Sequence, residues 1–130
     1  MGAMENIKTF SGGDEFPCYV AKPDGTASAA IIVIQEIFGV NKGIKAKCDH
    51  WASQGYLAIA PDLFWRVNDN TDLDPDVQVE FQTALDLMNK FDQDQGIRDI
   101  EAAIHYAQQA IGNHKVGAVG YCLGGRLAFM

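Results

Sequence analysis

The chain has 130 residues, enough for one domain with a core of its own. With 48% hydrophobic and 21% charged residues it has the balance of a globular protein, and a net charge of -7 argues against nucleic acid as a partner, which needs a basic stripe. No apolar run is long enough to span a bilayer and the polar N-terminus has no signal-peptide pattern, so no membrane is expected either. Three cysteines, Cys18, Cys48 and Cys122, are an odd number and form no C-x-x-C pair. A disulfide framework or zinc site is therefore not expected; a reduced, cytoplasmic setting is, without metal or other cofactor.

Met1-Gly2-Ala3 precede a second methionine, Met4, and are set aside as a leader foreign to the fold, leaving 4–130 as the domain. Residues 5–22 read as an N-terminal β-hairpin around a turn at 11–14, and Pro17 marks the second strand as an edge strand. Residues 29–34 are a continuous, largely β-branched run, which suits a strand buried on both faces of a parallel sheet. The loop Gln35-Glu36-Ile37-Phe38-Gly39-Val40 follows at the C-terminal sheet edge, where open α/β sheets place binding and catalysis. A helix over 41–54 puts Ile44, Cys48 and Trp51 on one face and stops at Gly55. Residues 56–60 form the next strand, and 66–75 a polar surface loop. Two helices follow. One covers 76–91, with Phe81, Ala84, Leu85, Met88 and Phe91 as its stripe. The other covers 93–111, with Ile97, Ile100, Ile104, Ala107 and Ile111. Strands alternating with helices at this rhythm predict an α/β fold with a mostly parallel sheet.

The last strand, from Lys115, breaks at Gly120 into Gly120-Tyr121-Cys122-Leu123-Gly124, and an apolar helical pattern follows. Gly-x-Cys-x-Gly is the thiol counterpart of the Gly-x-Ser-x-Gly nucleophile elbow. So tight a strand-to-helix turn crowds the positions two before and two after the nucleophile, where Gly120 and Gly124 carry no Cβ. The following helix would aim its N-terminal N–H groups at the sulfur and favour the thiolate. Glu36 would disfavour a thiolate by its charge unless it takes the thiol's proton; a carboxylate removed from water becomes a better base.

Four stretches carry a family resemblance: 35–41 (Gln-Glu-Ile-Phe-Gly-Val-Asn), 60–63 (Ala-Pro-Asp-Leu), 96–106 and 115–127. Together they resemble the dienelactone hydrolase family, also called carboxymethylenebutenolidases, over essentially 5–130. The resemblance implies a three-layer α/β-hydrolase sandwich and hydrolysis of small-molecule lactones or carboxylic esters by a Cys-His-Asp triad. By position, Cys122 is the nucleophile and Glu36 the carboxylate that helps generate its thiolate. The backbone N–H groups of Leu123 and Ile37 form the oxyanion hole, in agreement with the general rule for such elbows. In the family an arginine on the helix over 76–91 grips a substrate carboxylate. Here that position is Phe81, which can do no such thing, so less acidic esters or lactones are expected.

The rest of a triad is not legible. Hydrolases of this fold follow the order nucleophile, acid, histidine, and no Asp, Glu or His follows Cys122. His50 and His105 fall on helices. His114 opens the strand that ends near Cys122, about 20 Å away at the other end. The expectation is therefore the N-terminal portion of a single α/β-hydrolase domain, completed by an Asp and a His beyond Met130 and inactive alone. Its last strand would be an apolar edge that invites self-association. A non-catalytic module of the same fold, acting by association, is the alternative.

Overall fold

A computed structural model of the protein describes residues 2–9, 13–67, 71–74, 76–113 and 115–120. The elements are β1 (Ala3–Lys8), β2 (Glu15–Ala21), β3 (Ala30–Ile34), α1 (Lys42–Ser53), β4 (Leu57–Pro61), α2 (Gln78–Lys90), α3 (Gln93–Ile111) and β5 (Val116–Gly120). The strands form one sheet in the order β1-β2-β4-β3-β5. β2 runs antiparallel to β1 and to β4, whereas β3 runs parallel to β4 and to β5. Four strands therefore point one way and β2 alone is reversed.

The expected hairpin is present, and it begins inside the stretch set aside as a leader. Ala3 pairs with Val20, and the Gly2 N–H donates to Tyr19 Oη at 3.0 Å and to Asp49 Oδ1 at 3.2 Å. Pro17 does not mark an edge, because β2 lies between β1 and β4. The ladder to β4 starts one residue later, at Cys18 opposite Pro61. Beyond that end Pro17 has only to accept, and its carbonyl takes the Asp62 N–H at 3.0 Å.

Burial of β3 on both faces gives the layers. Ile32 and Ile34 pack with Ile59, Ile100, Ala103 and Ala107 on the α3 side, and Val33 packs with Ile44 and Cys48 on the α1 side. The result is a three-layer sandwich, α1 on one face and α3 on the other. α1 keeps its expected face, with Ile44 and Cys48 buried and Trp51 half-buried. α3 has its expected bounds. Asp92 caps its start by accepting from Asp94 N–H and Gln95 N–H at 3.0 and 3.2 Å, and Gly112 ends it at φ 73°. Its buried face is narrower in side-chain size than the isoleucine stripe implies. Gly96, Asp99, Ile100, Ala103 and Ala107 point inward, while Ile97, Ile104 and Ile111 flank them half-buried. Small residues let the helix approach the sheet. α2 is rotated relative to its expected stripe, burying Ala84 and Leu87 and leaving Phe81 43% exposed. It packs against the loop after β3 instead of the sheet face. No described helix is long and apolar enough to cross a membrane.

One charged contact ties the turn after β4 to α3. Asp99 is buried and accepts from Arg66 Nη1 and Nη2 at 2.6 and 3.1 Å and from Trp65 Nε1 at 2.9 Å. The Arg66 guanidinium also lies over the Trp65 ring, 4.4 Å from its centroid. Arg66, which opens the stretch read from the sequence as a polar surface loop, is thus a structural clamp. Removing one partner of a buried pair strands the other's charge. The Arg66 side chain is 33% exposed, which tempers the loss. Arg66→Ala is expected to lower the unfolding free energy by about 2–3 kcal/mol, read from denaturant midpoints.

Candidate active site

The candidate site lies at the C-terminal edge of β3. Ile34 pairs with Gly120, so the chain leaves β3 and β5 side by side at one edge. From there the sequence reaches Glu36 two residues after Ile34 and Cys122 two residues after Gly120. Cys122 and Leu123 lie outside the described residues.

The β3 loop is irregular but held at many points. Gln35 is completely buried, Ile37 and Phe38 nearly so, and Glu36 is half-buried. Gln35 Oε1 accepts from Leu63 N–H at 2.8 Å, and its Nε2 donates to the Glu36 carbonyl at 3.0 Å. At the other end Asn41 caps α1 by accepting from Ile44 N–H at 3.2 Å. Gly39 has φ 81°, and a Cβ there would collide with the Thr71 carbonyl; both the conformation and the close approach require glycine.

The segment around 71–74 closes over this loop. Leu73 N–H donates to the Phe38 carbonyl at 3.0 Å, Asn41 Nδ2 donates to the Leu73 carbonyl at 3.0 Å, and Gly39 bridges Asp72. Thr71 is buried. The expected polar surface loop over 66–75 is in this part a packing element, because its backbone finds partners on the β3 loop. From α2, Phe81 lies against Phe38 with ring centroids 5.6 Å apart. Phe81 thus flanks the loop that carries Glu36 and Ile37.

Ile37 has a further property. Among the described residues nothing accepts from its backbone N–H. Nearly every buried N–H in a folded protein is paired, so a donor without an acceptor among the described residues is a candidate contact for a ligand.

The described histidines are elsewhere. His50 is exposed in the last turn of α1, about 13 Å along the helix from its start at the site loop. His105 is on the exposed face of α3, within 3.2 Å of Gln109 Nε2. His114 lies outside the described residues. Cys18 and Cys48 are buried on opposite faces of the sheet. Burial first, then the nearby Asp49 charge, pushes the Cys48 thiol up to about 12. Burial first, then the charges of Asp62 and Asp99, holds the Cys18 thiol well above the ordinary thiol range. Both behave as small hydrophobic side chains.

The sequence from residue 16 to 130 matches the family model described as the dienelactone hydrolase family. The chain belongs to this family. It is 43% identical over 119 residues to a carboxymethylenebutenolidase of Pseudomonas putida, covering 91% of this chain and 50% of that protein. It is 38% identical over 122 residues to carboxymethylenebutenolidase 1 of Cupriavidus pinatubonensis, covering 93% and 52%. The chain thus spans about half the length of the curated relatives it matches. A crystal structure of a candidate dienelactone hydrolase from Klebsiella pneumoniae superposes with a TM-score of 0.75 at 32% identity, covering 98% of this chain and 52% of that one. The fold is that of the α/β hydrolases, of which this chain holds a part. An α/β serine hydrolase from Xanthomonas campestris shares that fold at 10% identity, with a TM-score of 0.62.

Gln35 is the residue whose role sequence reasoning missed. Its signal was a polar side chain directly after a strand apolar on both faces, where it cannot reach water. The two interior thiols lead to a test: at pH 8 only a minute fraction of a thiol titrating near 12 is thiolate. Cys18 and Cys48 are expected to resist DTNB in the native protein and to label only after unfolding in guanidinium.

Proposed function

We propose that the protein is a thiol hydrolase of carboxylic esters or lactones that works through an acyl-cysteine intermediate. The observation that carries this is the register of β3 with β5. β3 and β5 end at one sheet edge, and in the sequence the Glu36-Ile37 loop follows the first while Cys122 comes two residues after the second. In this reading the Cys122 thiol loses its proton to Glu36 and the thiolate attacks the ester carbonyl carbon. A C–S bond forms, and the carbonyl electrons move onto oxygen. The Ile37 and Leu123 N–H groups hold that oxyanion, the largest electrostatic contribution in such reactions. Collapse expels the alkoxide, which takes a proton from a histidine, and water attacking the thioester frees the acid and the thiol. The reading requires a histidine and an orienting Asp as well. His50 and His105, being exposed on helix surfaces, do not fit the role.

The substrate face of the site is apolar. Phe81 and Phe38 stand beside the loop, and the exposed Val77 and Val79 extend the same helix end. A phenyl ring supplies area to an apolar acyl or alkoxy group and no charge to a carboxylate. The preferred substrates are therefore neutral esters or lactones, in contrast to an anionic dienelactone.

Two outcomes are expected with the full-length protein. Cys122→Ala should lower turnover of p-nitrophenyl acetate at least about 1000-fold. Unchanged turnover would remove Cys122 from the reaction. Phe81→Arg should raise kcat/KM for cis-dienelactone, which carries a carboxylate, by about 10-fold or more, through a charge-assisted bond, while p-nitrophenyl acetate gains nothing. Equal effects on both esters would show that Phe81 does not meet the substrate.

A further inference from the structure

Gln35 has no surface and no solvent, yet its amide satisfies both of its ends on the backbone. The partners dictate its orientation, because the Leu63 N–H can only donate and the Glu36 carbonyl can only accept. The Glu36 carbonyl and the Ile37 N–H are the two ends of one planar trans peptide unit. They point in opposite directions, so holding the carbonyl sets the direction of the N–H. The Gly39 N–H also reaches that carbonyl, at 3.3 Å, from the turn that follows. A donor on the carbonyl also polarises the peptide and makes its N–H a better donor.

The far end of the bracket is rigid too. Leu63 belongs to a turn in which Asp62 Oδ1 accepts from Phe64 N–H at 3.1 Å and the Phe64 carbonyl accepts from Val67 N–H at 2.9 Å. Trp65 and Arg66 of that turn are clamped on Asp99 of α3. A chain of hydrogen bonds therefore runs from α3, through the turn and Gln35, to the peptide that bears the open Ile37 N–H.

We propose that Gln35 is a positioning residue of the oxyanion hole: its side-chain amide fixes the plane of the Glu36–Ile37 peptide and so aims the Ile37 N–H at the oxygen that becomes charged. The proposal rests on reading that N–H as an oxyanion donor. Gln35 touches no substrate. Its contribution appears only when the carbonyl oxygen gains charge, so it acts on kcat and on transition-state binding, and not on the binding of ground-state ester.

The test compares Gln35→Met, of similar length but without either hydrogen bond, with Gln35→Glu in the full-length protein. A buried glutamic acid in its neutral form can accept from Leu63 and donate to the Glu36 carbonyl, as glutamine does. Removing a whole oxyanion donor lowers kcat by roughly 100- to 1000-fold, so misaiming one is expected to cost about 10- to 100-fold. Gln35→Met should lower kcat for p-nitrophenyl acetate by that factor with KM little changed. It should weaken binding of phenyl trifluoromethyl ketone, whose carbonyl becomes an oxyanion on thiolate addition, by the same factor, and leave binding of acetophenone alone. Gln35→Glu should recover most of the loss. A residue that merely fills space predicts the reverse order, methionine at least as good as glutamic acid. If Gln35→Met does not fold, Gln35→Asn, too short to reach both backbone groups, takes its place with the same expectation. Wild-type kcat and wild-type ketone affinity in a folded Met or Asn variant would overturn the positioning role. Cys122→Ala, measured alongside, separates the two readings: an active Cys122→Ala overturns the thiol mechanism itself, whereas an inactive one with a fully active Gln35→Met overturns only the role of Gln35.

Discussion

Parallel strands hydrogen-bonded in register end at the same sheet edge, and here β3 and β5 do so with Ile34 opposite Gly120. The two chain segments that leave them must then start within one strand spacing of each other, about 4.8 Å. The pairing in turn depends on β3 being apolar on both faces, since only a strand covered by α1 on one side and α3 on the other sits between two parallel neighbours. The site is thus a consequence of core packing before it is a consequence of any polar contact.

The loop beyond β3 has no regular hydrogen bonding of its own, and irregular backbone in a buried place must be satisfied by other means. Side chains supply them. Gln35 holds the Glu36 carbonyl and the Leu63 N–H, and Asn41 holds the Ile44 N–H and the Leu73 carbonyl. Both are amides, able to donate and accept at once, and each joins the loop to a neighbouring segment. With its ends fastened in this way the loop has little freedom left, which suits a site whose donors must be in place before charge develops. Among the described residues nothing accepts from the Ile37 N–H.

Much of this architecture is legible in the residues. The β-branched run at 30–34 announces a doubly covered strand, and the cap and stop of α3, Asp92 and Gly112, mark its bounds. What escapes is whatever depends on sheet order or helix rotation. Pro17 looks like an edge residue because a proline lacks a donor, but sequence cannot tell that the neighbouring ladder begins one residue further on. Helical periodicity places large side chains on one face and cannot see that small ones, Ala103 and Ala107, lie between α3 and the sheet. Arg66 and Asp99 are 33 residues apart, and nothing local links them. Glu36 and Phe81 could be singled out because a family pattern marks their positions. Gln35 shares that motif yet drew no role, since its meaning lies in two backbone partners, one of them 28 residues away.

In the proposed function, the half-exposed ring of Phe81 fits the same frame to a different substrate. At 43% exposure the ring costs the folded protein some hydrophobic stabilisation, and its contact with Phe38 regains only part of it. A ligand that covers the remaining face recovers the rest. An arginine at this place would keep its charge hydrated until a carboxylate arrived, and would select for that charge. Phe81 stands on α2, which packs on the loop that carries Ile37 and Phe38 and not on the sheet, so exchanging it leaves the β3–β5 ladder untouched. In the proposed function, selectivity would be set from α2 and the aim of the Ile37 N–H by Gln35, two elements that meet at Phe38.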